Sequence, residues 1–193
     1  FPIGLILVIL AGGELVTGNM MTVSMAWLHK KIDLFHFIRN LVIVTFSNFI
    51  GAVFVAYFFG HIVGLAEGAF LAKTVSVAQA KLQDTPLQAF ISAIGCNWLV
   101  CLAVWLSMGS KEFIGKIIGI WFPVMTFVAI GFQHVVANMF VIPAAIFAGH
   151  LTWIEYFPNF IFVFFGNLVG GMLFVALPYF ISYKKKLPSK EEQ

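Results

Sequence analysis

Charge is scarce in this chain: of 193 residues only 10% are Asp, Glu, Lys or Arg, against 61% hydrophobic residues and a mean hydropathy of +1.00. A soluble globular domain carries roughly 25% charged residues, so that class is excluded. Disorder is excluded by the same composition, because disordered chains are poor in apolar residues. The net charge of +3 is too small and too scattered for a nucleic-acid binder. Cysteine is nearly absent. Cys96 and Cys101 lie in one apolar run, on different faces of a single helix. Without a second pair they suggest neither a disulfide framework nor a metal site, and they read as small packing residues. No charged n-region followed by a cleavage site is visible at the start.

What is abundant is phenylalanine, with 23 residues, and glycine, with 17. Both suit helices packed in lipid, where small residues let backbones approach and aromatics fill the gaps. A span needs about 20 apolar residues. Residues 41–60, 88–108 and 159–182 supply them. Residues 2–28 qualify except at Gly12-Gly13-Glu14, and residues 117–149 except at Gln133-His134. As one straight helix the latter would be about 50 Å long at 1.5 Å per residue, and Pro123 and Pro143 also disfavour it. The expectation is an all-α membrane protein with five visible spans, two of them broken.

Lys and Arg set the orientation. Lys30, Lys31, Arg39, Lys111, Lys116, Lys184, Lys185, Lys186 and Lys190 fall on one side, and only Lys73 and Lys81 on the other. The C-terminus, including a polar tail over 183–193, is therefore expected in the cytoplasm of a multi-pass protein.

A shift of 119 residues carries Gly12-Gly13-Glu14-Leu15-Val16-Thr17-Gly18-Asn19-Met20 onto Gly131-Phe132-Gln133-His134-Val135-Val136-Ala137-Asn138-Met139. The same shift carries Phe46-Ser47-Asn48-Phe49-Ile50-Gly51 onto Phe165-Gly166-Asn167-Leu168-Val169-Gly170. A repeat of three spans must lie upside down to its copy, and inverted repeats with broken helices mark transport proteins. The expected organisation is an incomplete first repeat over 1–63 and a second over 88–182. The span at 88–108 has no counterpart after Phe1, so a sixth span is expected before it.

Irregular backbone at membrane depth survives only where it is buried or lines a cavity. Gly12 and Gly13 let the chain turn. Thr17 is expected to cap a half-helix starting near Gly18, with Asn138 placed similarly in the second copy. The two half-helix N-termini then offer partial positive charge and free N–H groups to a small anion. Glu14 is either a proton or cation ligand or a carboxylate that holds the loop. The second reading is preferred, because its counterpart Gln133 cannot ionise. His134 is the one histidine inside an apolar span, where ionisable groups mark pathways. His29, His36, His61 and His150 fall near span ends. Lys81 lies in the outer connection, as a solvated charge or as an attractor of anions. Asn48 and Asn167, in small-residue spacings, read as packing positions.

These residues resemble the formate/nitrite transporter family. The segments GGELVTGN at 12–19, AIGCNWLVCLA at 93–103 and GFQHVVANMFVIP at 131–143 carry the resemblance, which extends over essentially the whole chain. Within the family it is closest to the hydrosulfide channel branch of clostridia. The resemblance implies an aquaporin-like protomer of 3+3 transmembrane helices with its first helix absent from this chain. It further implies one pore per protomer, a homopentamer, a bacterial inner membrane, small monovalent anions as cargo and no cofactor. By motif, His134 is similar to the family's central pore histidine, Thr17 to the threonine of the first break, Lys81 to a lysine beside the pore and Asn138 to the asparagine after the histidine. Leu5 and Leu15 look like one constriction and Phe1 with Phe127 like part of the other. Val16 is counted with the constriction and departs from the family's Phe or Ile there.

The function expected is a membrane channel for hydrosulfide, with formate or nitrite as further cargo. Lys81 and the half-helix dipoles would draw the anion in, Thr17, Asn138 and His134 would replace part of its hydration, and His134 would lend a proton so that the species crossing the apolar constriction is nearly neutral. A proton-coupled secondary transporter is the alternative. A haem or cluster subunit would need paired ligands across spans, and none stand at the midplane.

Overall fold

The computed structural model describes residues 1–184; of the tail assigned to 183–193, residues 185–193 lie outside the described residues. Among the described residues there is no strand, and the helices are α1 (Pro2–Ala11), α2 (Val16–Leu28), α3 (Leu34–Val55), α4 (Leu71–Leu82), α5 (Pro86–Gly109), α6 (Phe113–Ile130), α7 (Val135–Phe147), α8 (Trp153–Gly171) and α9 (Leu177–Lys184). A π-helical stretch extends α3 over Ala56–Ile62, and another joins α8 to α9 over Met172–Ala176. Among these residues, four helices are long and apolar enough to cross a membrane. The α1–α2 pair, bent by 48°, makes a fifth span.

Three spans begin earlier than their apolar runs because polar caps start them. Asp33 accepts from the His36 N–H at 2.8 Å ahead of α3. That main-chain bond and the His36 ring hold the Asp33 carboxyl below the usual carboxylate range. Thr85 with Gln88 forms a capping box ahead of α5, and Thr152 with Glu155 another ahead of α8. The helices therefore include short polar first turns that a hydropathy window leaves out.

Both breaks fall at glycine and not at proline. Pro123, Pro143 and Pro158 all sit inside helices. Gly12 ends α1 at φ 77° and Gly131 ends α6 at φ 82°, the left-handed region that favours glycine. The next N–H in each case folds back five residues, from Gly13 to the Val8 carbonyl at 2.7 Å and from Phe132 to the Phe127 carbonyl at 3.1 Å. This is one helix-terminating motif used twice. Gly13 itself has no positive φ, and its counterpart is Phe132. Only the first glycine of the expected pair is required by the turn.

Backbones approach closely between α5 and α8. A Cβ on Gly166 would sit 2.4 Å from the Phe90 carbonyl oxygen, and one on Gly170 would sit 2.4 Å from that of Ile94. One buried cluster joins both half-helices to α3 and α8 through Val16, Met20, Val135, Met139, Leu41 and Val163. The two broken segments therefore meet in the middle of the protein.

Gly170→Ala must push α5 from α8 by backbone movement, since the clash is with a carbonyl and not with a flexible side chain. It is expected to destabilise by about 1–3 kcal/mol, the range for overpacking, measured as a lowered melting temperature of the purified protein.

Candidate functional site

Each half-helix begins with backbone that its own helix cannot satisfy, and in each copy an asparagine on a neighbouring helix supplies the partner. The Val16 N–H donates to Asn48 Oδ1 at 2.9 Å, and Asn48 Nδ2 donates to the Glu14 carbonyl at 3.1 Å. The Val135 N–H donates to Asn167 Oδ1 at 2.9 Å, and Asn167 Nδ2 donates to the Gln133 carbonyl at 3.1 Å. A second amide completes each clamp. Asn19 Nδ2 donates to Glu14 Oε2 and Asn40 Oδ1 at 2.7 and 2.9 Å. Asn138 Nδ2 donates to Gln133 Oε1 and Asn159 Oδ1 at 2.8 and 2.9 Å. The 119-residue shift that aligns the sequence also maps every one of these bonds onto its counterpart.

The half-helices start earlier than expected because of this arrangement. Leu15 is the N-cap of α2 and gives no side-chain bond. The cap comes from Asn48, so Thr17 lies inside the first turn with its hydroxyl released for another partner. That partner is His134, whose Nε2 is 3.1 Å from Thr17 Oγ1. His134 is the N-cap of α7, and its Nδ1 accepts the Ala137 N–H at 3.1 Å. With Nδ1 accepting, the neutral ring carries its hydrogen on Nε2 and donates it to the Thr17 oxygen. The Thr17 hydroxyl hydrogen stays available. Gaining a second ring proton would set N–H against N–H at Ala137 and break the cap.

A cavity of about 650 Å³ opens onto His134. Phe1, Leu5, Leu15, Phe127 and Val136 line it with the imidazole, and the Phe127 ring stacks on His134 at 5.5 Å. The expected constriction residues Phe1, Leu5, Leu15 and Phe127 are thus brought together. Val16 is not among them: it is fully buried in the cluster shared by the two half-helices, because its N–H is drawn to Asn48 and its side chain turns inward. Thr17 is fully buried too and meets the cavity only through His134. Asn138 is 1% exposed with both amide hydrogens engaged in the clamp, so its expected contact with an anion gives way to a structural role. The N–H groups of Thr17, Gly18 and Val136 have no hydrogen-bond partner among the described residues.

Lys81, half-buried at the end of α4, donates to the carbonyls of Gly131 and Phe132 at 2.7 and 2.9 Å. These carbonyls belong to the break that follows Ile130, so the ammonium pins the break and lies beside the negative pole of α6. Burial pushes the ammonium below the ordinary lysine pKa. The Lys81 carbonyl in turn accepts from Gln133 and Asn159. Glu14 instead borders a second cavity of about 830 Å³ with His36, Arg39 and Asn40. Composition alone gave no sign of the clamp amides Asn40 and Asn159. They are separated by the repeat offset, and extending the self-comparison to single polar residues would have found them.

Two inverted copies, each with a broken helix held open by asparagines and its electropositive end turned to a shared centre, define a membrane transport protein. The formate/nitrite transporter family model matches residues 1–181, and the chain belongs to that family. It is 63% identical over 193 residues to the uncharacterized transporter YrhG of Bacillus subtilis, covering all of this chain and 73% of that protein. It is 60% identical over 186 residues to the formate channel BtFdhC of Bacillus thuringiensis, covering 96% of this chain and 72% of that protein. Among solved structures it resembles an FNT family ion channel, with a TM-score of 0.88 at 31% identity over 94% of this chain and 74% of that one. It also resembles a pentameric formate channel with formate bound, with a TM-score of 0.80 at 30% identity over 95% of this chain and 80% of that one. The fold is the aquaporin-like inverted repeat, and these relatives are channels and transporters rather than enzymes. The names of these and similar relatives that specify an ion give formate or formate with nitrite, so the hydrosulfide branch has no support beyond the motif resemblance.

Removing a clamp leaves a buried N–H unpaired, at about 1–3 kcal/mol. Asn167→Ala, fully buried, is expected to lower the melting temperature more than Asn48→Ala, which is half-buried. Lys81 adds a pH dependence. Its charge is lost as pH rises through its lowered pKa, so anion entry is expected to decline at a lower pH than an exposed lysine would give. Lys81→Arg, which keeps its charge, moves that alkaline decline upward in flux-against-pH profiles.

Proposed function

We propose that this chain forms a channel for small monovalent anions of weak acids, with formate as its first substrate. The observation that carries the reading is His134, backed by Thr17, at the wall of a mainly apolar cavity whose other polar lining is Ser47 and Asn48. Formate is placed before hydrosulfide because BtFdhC is named for formate at 60% identity and the pentameric relative is described with formate bound. Hydrosulfide and nitrite become arms of the test. The same relative supports a homopentamer, and the transporter and channel from two Bacillus species support a bacterial inner (cytoplasmic) membrane. The distribution of Lys and Arg supports a cytoplasmic C-terminus.

In this mechanism the anion is drawn toward the breaks by Lys81 and by the positive ends of α2 and α7. Between Leu5, Leu15, Phe1 and Phe127 it loses water, at a cost of several kcal/mol for a bare charge. The unpaired N–H of Val136, a residue of the cavity lining, offsets part of that loss, as does the imidazole Nε2–H, shared in a three-centre bond between the Thr17 oxygen and the anion so that the Thr17–His134 contact persists. A neutral donor suffices for this, since Nδ1 is already committed to the N–H of Ala137. A proton reaches the anion only if the ring first lets go of α7. The alternative, a proton-coupled transporter that rocks one repeat against the other, would have to break the Thr17–His134 bond in every cycle, and this favours the channel.

Flux of formate, nitrite and hydrosulfide into proteoliposomes tests the reading. His134→Ala is expected to reduce formate flux at least tenfold while the protein remains folded. Unchanged flux removes His134 from the mechanism. Saturation at a low turnover favours the transporter. Preference for hydrosulfide over formate restores the order suggested by the motifs alone.

A further inference from the structure

We propose that Asn97 is a positioning residue that holds Thr17 against His134 and thereby sets which anions pass; this rests on the reading of that pair given above. Asn97 lies on α5, fully buried and outside the cavity lining. Its Nδ2 donates to the main-chain oxygen of Thr17 at 3.1 Å and to that of Asn167 at 2.7 Å. Thr17 lies in the opening turn of α2. Asn167 is the residue whose side chain holds the first N–H of α7. One amide thus ties the tip of one copy to the clamp of the other.

The surroundings are shaped around this crosspiece. A Cβ on Gly171 would sit 2.9 Å from Asn97 Nδ2 and 3.1 Å from Cys101 Sγ. Cys101 Sγ donates to the same Thr17 oxygen at 3.4 Å. Asn97 Oδ1 is buried with no partner among the described residues, an arrangement that is unfavourable in itself. A leucine would fill the same space without that penalty, so the contribution of Asn97 lies in its two N–H donors. The Thr17–His134 contact, at 3.1 Å, is near the long end of the N–H···O range. A small drift of the first turn of α2 breaks it.

The test is the ratio of formate to acetate permeability in proteoliposomes, a quantity independent of how much protein is inserted. Loss of stability alone does not move it. Thr17→Val, Asn97→Leu and the double variant are compared. Thr17→Val is expected to change the ratio, and Asn97→Leu to change it in the same direction by about threefold or more. The double variant is expected to match Thr17→Val, because no hydroxyl is left to position. An unchanged ratio in Asn97→Leu beside a changed one in Thr17→Val overturns the positioning role, as does a double variant that moves further than Thr17→Val. An unchanged ratio in Thr17→Val overturns the reading of the pair and the proposal with it. Should Asn97→Leu not elute as a folded oligomer, Cys101→Ala replaces it. It removes the weaker bond to the same oxygen and is expected to shift the ratio by less in the same direction, and no shift overturns the proposal.

Discussion

Everything at the centre of this protein depends on one requirement: a helix interrupted inside a membrane has no water to satisfy the groups it exposes. Here the remedy is the asparagine side chain, which accepts and donates at once. Asn48 and Asn167 each take the first N–H of a half-helix and return a hydrogen to the carbonyl two residues before it. A serine or threonine N-cap would satisfy the N–H only, and would use its own residue in doing so. Moving the cap to a neighbouring helix frees the capped turn. That is why a threonine in the first turn of α2 has its hydroxyl free to meet a histidine from the other copy.

The two copies are not equivalent where they meet. Leu15 and His134 occupy corresponding positions, so one tip is apolar and the other polar. The second copy also has Lys81 across the end of α6, stitched to Gln133 and Asn159 through its own carbonyl. In the first copy the corresponding clamp carries Glu14, an acceptor in place of an amide, with Arg39 nearby where the second copy has Pro158. The frame is shared, and the chemistry at each entrance is not.

Much of this was legible in the sequence, for identifiable reasons. The breaks were visible because Gly-Gly-Glu and Gln-His interrupt long apolar runs, and the repeat was visible because its glycines and asparagines recur at one offset. What the sequence hid was direction. Nothing in the order of residues tells whether Thr17 bonds its own helix or a histidine 117 positions away. The roles given to Thr17 as a cap, to Asn138 as an anion ligand and to Val16 as a constriction failed for that one reason. Each depends on which neighbouring helix supplies the missing hydrogen-bond partner. Asn48 and Asn167 were noticed for their spacing but read as packing, because a mid-span asparagine shows its hydrogen-bond partners only once the helices are assembled.

The clamps also share one spacing in the two copies. Their partners are separated by 5, 21, 32 and 34 positions in the first copy and by the same numbers in the second. Side chains around them differ, Leu15 against His134 and Arg39 against Pro158, yet the number of residues between turn and clamp is the same in both copies. Geometry explains the difference in tolerance: a single insertion within α3 ahead of Asn48 would swing its amide by about 100° around the helix axis, away from the tip it holds. The two copies of this stretch are thus spelled differently at equal length.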